Sequence, residues 1–191
     1  MDVFEVVRRR RSIRRFREQP VEEKTIQRIL EAAIVAPSGK NRQPWEFFVF
    51  RGPAKDELID VIEGQVDELQ AAGVDIGSSR GSIRAMREAP VLILTFNRQW
   101  RRQDQLVGFN RRMYEVDVQS IGAAIEHMLL AACAEGLSSL WICDVLYAEP
   151  AIARHLGCET ELAAAVALGY PDEDPPPRPR RPLEESVRWF G

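Results

Sequence analysis

Apolar residues recur at helical spacing through most of this chain and close into continuous runs in four places. Ile26, Ile29, Leu30, Ala33 and Ile34 predict an amphipathic helix over 22–36 with one buried face. Leu58, Ile59, Ile62, Val66 and Leu69 do the same for 54–69. A first helix over 2–11 carries Val3, Val6, Val7 and Phe4 on one side, with Asp2 as its N-cap. The longest helix, 117–135, is apolar on most sides through Val118, Ile121, Ala124, Ile125, Met128, Leu129, Ala132 and Cys133. A helix apolar nearly all round is buried, often at a subunit interface, and Gly136 is its C-terminal cap. Shorter helices are expected over 83–88 and 149–156.

The continuous runs predict strands over 46–51, 90–96, 139–144 and 162–168. The aromatic and β-branched run Phe47-Phe48-Val49-Phe50 suggests burial on both faces. Val91-Leu92-Ile93-Leu94 suits the centre of a sheet. Breakers punctuate the chain at Glu18-Gln19-Pro20, Pro37–Pro44 and Gly52-Pro53. Residues 70–81 are small and polar and are expected to form a mobile connection. The stretch 97–114 lacks periodicity and is expected as a loop or short helix near a ligand or a partner subunit. Strands and helices do not alternate strictly, which favours an α+β or mixed-sheet fold in three layers.

Composition changes this picture in one respect. The 191 residues are 45% hydrophobic and 29% charged, enough for one domain with a real core. Formal net charge is only -3, so any basic cluster is local and a general nucleic-acid binder is disfavoured. Three cysteines without metal-ligand spacing fit reduced thiols in the cytoplasm. The N-terminus has no apolar signal core, and no uninterrupted apolar run is long enough to span a bilayer. No metal site, nucleophilic triad or glycine-rich dinucleotide fingerprint is legible.

The local basic cluster is Arg10-Arg11-Ser12-Ile13-Arg14-Arg15-Phe16. Like charges that close repel, and an anion resolves the conflict. Arg bonds phosphate oxygens in a bidentate fork, and Ser12 adds a neutral donor. The preceding helix would point its negative end here, so side chains must hold the anion. Taken alone the run is as consistent with a solvated face. Two later stretches add weight: Pro37-Ser38-Gly39-Lys40-Asn41-Arg42-Gln43-Pro44-Trp45 and Arg178-Pro179-Arg180-Arg181-Pro182. Asn41 and Gln43 each offer a donor and an acceptor. Together the three stretches read as a flavin phosphate and ring site.

These motifs resemble the FMN-dependent nitroreductase family. Further matches are Glu88-Ala89-Pro90, Gly136-Leu137 before Ser139-Leu140-Trp141-Ile142, and Leu168-Gly169-Tyr170-Pro171, so the resemblance covers nearly the whole chain. It implies a three-layer α/β/α sandwich with a central mixed, mainly antiparallel sheet. It implies one domain, 1–191, in a cytoplasmic homodimer whose C-terminal segment, about 172–191, embraces the partner. It implies FMN at the subunit interface. Arg10, Ser12, Arg178 and Arg180 would hold the phosphate, Arg11 would lie near the ribityl chain, and Arg14 would meet the pyrimidine edge. Pro37, Ser38, Gly39, Asn41 and Gln43 would come from the other subunit. Trp141, Ile142 and Cys143 would run beside the ring. The segment 82–84 falls where the family places a polar or basic pyrimidine contact.

The activity so implied is ping-pong oxidoreduction through flavin N5. NAD(P)H is the donor, and a nitroaromatic, quinone or similar conjugated acceptor follows in the same pocket, with no side chain required as acid or base. Neither a membrane nor a nucleic acid is an implied partner. Two alternatives share the motifs: a reductive dehalogenase-like or flavin-consuming enzyme, and a flavin-binding module without turnover. Plainer roles apply to several residues. Arg15 and Arg17 read as surface charges, Trp45 as core, His127 as a satisfied core histidine, and Cys143 equally as a buried small side chain or a reactive thiol. Lys40 and Arg42 read equally as solvated or as favouring an anionic co-substrate.

Overall fold

The computed structural model describes residues 2–191, so Met1 of the expected 1–191 domain lies outside the described residues. Strands β1 (Trp45–Arg51), β2 (Val91–Arg101), β3 (Ser138–Ile142) and β4 (Thr160–Gly169) form one sheet in the order β1-β2-β4-β3. All three pairings are antiparallel. The mixed character expected of the sheet reduces, among the described residues, to an isolated parallel bridge between Ser12 and Ser139.

Helices cover both faces, which makes the three expected layers. On one face, α3 (Gly52–Ala71), α4 (Ser79–Glu88) and α6 (Glu149–Leu156) bury Leu58, Ile59, Ile62, Met86 and Ile152 against Leu92, Leu94 and Phe96. On the other, α2 (Glu23–Ile34) and α5 (Gly108–Ala134) bury Ile29, Ile121, Ile125 and Met128 against Ile93 and Val166. Helix α5 is, by length and composition alone, apolar enough to cross a membrane. Here its Ala124, Ile125, Met128 and Ala132 pack into that second core instead. Gly136, at φ +78°, stops it in the left-handed conformation expected of a cap. His127 Nδ1 lies 3.1 Å from the Ala32 carbonyl, a satisfied ring as expected.

Several expectations are corrected. Strand β1 is an edge strand whose two faces are both packed, but only in part: Phe48 and Phe50 lie against the first core and Phe47 against the second, while Glu46 and Val49 are exposed. In α1 (Val3–Arg9) only Val6 is buried, while Val3, Phe4 and Val7 face away from the chain's own core. Ile34 and Val118, placed on inward faces by periodicity, are also exposed. The connection over 70–81 shortens because α4 begins at Ser79, and Ile76 within it is buried.

The largest difference lies in 97–114. Residues 97–101 extend β2, and 108–114 form the first two turns of α5. Polar composition hid both elements, because this end of β2 meets a polar network rather than the core. Trp100 Nε1 donates to the buried Asp117 at 2.8 Å, and Tyr114 Oη donates to Glu161 at 2.8 Å. Desolvation raises the Glu161 pKa above its ordinary 4.5, with Glu149 and Asp104 adding repulsion. At this carboxyl the folded state therefore keeps a proton that the unfolded chain releases above pH 4.5. The contribution of Glu161 to stability should fall as pH rises through that window and level off above it. Glu161→Gln keeps an acceptor for Tyr114 and should flatten this slope in urea midpoints measured across the window. A slope equal to that of wild type would remove Glu161 as its source.

Candidate functional site

The basic run is stitched to the edge of the sheet by its backbone. Ile13 N–H donates to the Ser139 carbonyl at 3.1 Å, Arg17 N–H to the Tyr170 carbonyl at 2.9 Å, and Phe16 bridges Pro171. Ile13 and Phe16 are buried, and they force the alternate residues Ser12 and Arg14 outward. Glu173 fastens the C-terminal segment to the same run by accepting from Arg14 N–H and Arg15 N–H. Asp172 N–H adds a bond to the Arg15 carbonyl at 2.9 Å. The proline-rich stretch is thereby held at its root, and its arginines return to the N-terminal cluster.

The result is a cavity of about 330 Å³ whose lining includes Arg10, Arg11, Ser12, Arg14, Arg178 and Arg180. All six expected residues from two distant parts of the chain meet there. Arg10 is partly engaged by Glu126, 3.6 Å away on α5, and Arg11 turns back to donate to the Arg8 and Arg10 carbonyls at the end of α1. That position suits a cation at the negative end of a helix. A second cavity of about 480 Å³ shares Arg14 and Arg178 and continues along Leu140, Trp141, Ile142 and Cys143. Trp141 is half-exposed, and its ring edge packs near Gly122, where an added Cβ would lie 3.6 Å from Cη2. Cys143 is exposed, not buried, and partial desolvation reinforced by Asp144 raises its pKa, which lowers its thiolate fraction.

Pro37, Ser38, Gly39, Asn41 and Gln43 line neither cavity. They precede β1, at the opposite edge of the sheet from β3. The loop is nonetheless held in an unusual shape: Lys40, Asn41 and Gln43 all have positive φ, at 53°, 54° and 45°. For residues with a Cβ this conformation costs on the order of 1 kcal/mol or more each, and such strain gathers at functional sites. Ser38 Oγ accepts from Gln43 N–H at 3.0 Å, and Ser120 Oγ accepts from Gly39 N–H at 3.2 Å. Gly39 is required by space, since a Cβ there would sit 2.2 Å from Val116 Cγ1. Arg42 makes a two-pronged ion pair with Asp117 at 2.9 and 3.0 Å, so its Nε and Nη2 are held by a buried carboxylate while the side chain stays part exposed. Arg15 pairs with Glu88 at 3.0 Å and Arg17 with Asp172 at 3.9 Å, as surface charges do. Trp45 is buried in the core.

Sequence reasoning missed Asp144, which accepts from Ser78 Oγ and Ser82 Oγ at 2.5 and 2.6 Å in the wall of the second cavity. The i, i+4 spacing of the two serines was a usable signal for one polar helix face, but nothing local tied it to Asp144. Glu173 was also missed, because its partners lie nearly the whole chain away.

An arginine-lined groove opens into a cavity bordered by an indole on the edge of an α/β/α sandwich, a shape and charge that suit a planar ligand carrying a phosphate. Residues 7–170 match the Nitroreductase family model, and the chain belongs to that family. It is 33% identical to the NADH dehydrogenase of Thermus thermophilus, over 99% of this chain and 96% of that one. It is 30% identical to the 5,6-dimethylbenzimidazole synthase of Rhodospirillum rubrum, over 87% and 81% respectively. Among solved structures it is similar to a protein described as a nitroreductase in complex with FMN from Desulfovibrio desulfuricans. That match has a TM-score of 0.77 and 30% identity over 100% of this chain and 98% of that one.

Proposed function

We propose that this protein is an FMN-dependent oxidoreductase that uses NAD(P)H to reduce a nitroaromatic, quinone or similar conjugated acceptor. The observation that carries the reading is the pair of cavities joined through Arg14 and Arg178. One is sized and charged for a phosphate, and the other is flanked by Trp141 and the end of β3. The donor set fits FMN: several guanidinium groups and a hydroxyl face the space where about two negative charges would sit. When bound, FMN would supply the two-electron redox chemistry between NAD(P)H and the acceptor.

The chain's own residues bind and tune. Arg10, Ser12, Arg178 and Arg180 hold the phosphate, with Arg11 beside the ribityl chain. Arg14 places a fixed cation at the pyrimidine edge, where reduction concentrates negative charge, and so favours the reduced form. Trp141, Ile142 and Cys143 flank the ring. The strained loop of Pro37, Ser38, Gly39, Asn41 and Gln43 completes the site from the second subunit of a homodimer. Val3, Phe4 and Val7 of α1 are exposed, and Trp189 and Phe190 are 88% and 92% exposed. Apolar groups of this size gain most by packing on a partner, which the tail 172–191 would embrace. Residues 1–191 then act as one flavin-binding domain, and the three unpaired thiols fit the cytoplasm.

A second reading, in which flavin is itself consumed, draws on one fact: a relative at 30% identity is a 5,6-dimethylbenzimidazole synthase. One experiment separates the two. Purified protein should show flavin absorbance that bleaches on anaerobic addition of NADH or NADPH and returns, undiminished, on adding a quinone. Permanent loss of flavin in air would favour the second reading. A colourless protein that FMN cannot reconstitute would end both.

A further inference from the structure

Asp117 lies on α5, fully buried, and carries three directed partners. Its two oxygens accept from Arg42 Nε at 2.9 Å and Arg42 Nη2 at 3.0 Å, and Trp100 Nε1 donates to one of them at 2.8 Å. A carboxylate removed from water requires this degree of satisfaction, and a paired guanidinium is the donor that also neutralises it. The chain supplies that guanidinium from a loop rather than from a core element. Arg42 has ordinary helical backbone angles, φ -70° and ψ -22°, between Asn41 and Gln43, whose φ angles are both positive. Its carbonyl accepts from Gln99 Nε2 at 3.2 Å, so the extension of β2 grips the same residue from behind. Loop, helix and strand thus converge on a single side chain.

We propose that Arg42, clamped by Asp117, is a positioning residue that holds the left-handed turn of Lys40–Gln43 so that Asn41 and Gln43 meet the flavin edge of the partner subunit. This rests on the functional reading above. The physical reason is that left-handed backbone is disfavoured for Lys, Asn and Gln, and relaxes unless something over-determines it. Other bonds of the loop are internal, namely Gln43 N–H to Ser38 Oγ, Asn41 N–H to the Ser38 carbonyl at 3.0 Å and Arg42 N–H to the Gly39 carbonyl at 3.1 Å, while Gly39 N–H to Ser120 Oγ anchors its start to α5. Arg42 fixes its middle. Its Nε and Nη2 face Asp117, so the role assigned to it is to hold the loop and not to bind flavin.

Arg42→Lys tests this, because lysine keeps the charge and loses the fork. Three readouts on the full-length protein separate positioning from general stability. FMN affinity of the apoprotein, followed by flavin fluorescence quenching, should weaken roughly tenfold, the value of about one ring contact. Competition by inorganic phosphate, which needs only the arginine cavity, should be unchanged. Trypsin should cut after Lys40 in the variant apoprotein much faster than in wild type, which reads the clamp without flavin. Unchanged FMN affinity, or equal weakening of FMN and phosphate, would overturn the positioning role. Wild-type loop cleavage as fast as the variant's would overturn the clamp. Wild-type protein that binds no FMN would instead remove the functional reading, and with it the role given to Asn41 and Gln43.

Discussion

Apoprotein carrying Arg10→Ala and Arg178→Ala together is expected to bind FMN at least roughly a hundredfold more weakly than wild type. Each charge-assisted bond to a phosphate is worth about 1.5–3 kcal/mol, which is about tenfold or more per arginine. The two residues sit on separate parts of the chain, α1's C-terminal boundary and the proline-rich tail, yet they line one cavity. Their losses should therefore multiply if the phosphate rests between them and fall short if only one reaches it. Titration of the apoprotein with FMN, followed by fluorescence, gives the answer, with Arg181→Ala as the control. Arg181 is exposed and lines neither cavity. If the double variant and the control retain FMN equally, the phosphate does not lie among these arginines.

The second large effect concerns the fold that presents the cluster. Gly169→Ala should destabilise the protein by about 2–3 kcal/mol, a fall of roughly 5–10 °C in melting temperature. Gly169 ends β4 opposite Ser138, and its constraint is space rather than backbone angle. A Cβ there would meet Pro90 Cδ at 2.5 Å, Pro90 Cγ at 3.0 Å and Phe16 Cδ1 at 3.2 Å. None of these can swing aside: two belong to a proline ring and one to a buried aromatic. The three-way contact joins Glu88-Ala89-Pro90, Leu168-Gly169-Tyr170-Pro171 and the basic run, which are separate motifs in the sequence and one packing unit in the fold. Lys55 adds to the same corner by donating to the Arg87 and Ala89 carbonyls at 2.8 and 2.7 Å. Replacing Pro90 by Ala in the Gly169→Ala background removes Cγ and Cδ and should recover most of the loss. A single variant that melts like wild type would show that the corner yields more easily than its geometry implies.

What the chain discloses by itself is what local physics writes into it. The periodicity of Ile26, Ile29 and Ala33, the unbroken run of Val91–Leu94 and the stop at Gly136 each report a helix face, a central strand and a cap. Those features depend on neighbours within one or two turns. The cations of 10–15 and 178–181 and the paired amides of Asn41 and Gln43 were likewise legible, because unusual chemistry is visible without coordinates.

The sequence did not disclose 97–114, nor the fate of the first helix. Strand pairing beyond Phe96 and the first turns of α5 are stabilised by Trp100–Asp117 and Tyr114–Glu161, contacts between polar groups far apart in the chain, so no apolar period marks them. The apolar side of α1 could be read, but not which way it faces, since periodicity gives a face and not the surface that covers it. Arg42 is the clearest case. Its sequence neighbourhood gives a cation in a polar loop, open to solvent or to substrate. Only the tertiary fold brings the buried carboxylate of Asp117 to it and turns a mobile charge into a fixed joint. A buried ion must find its counter-ion wherever the chain can deliver one. That delivery is a property of the packed fold, and no stretch of residues carries it alone.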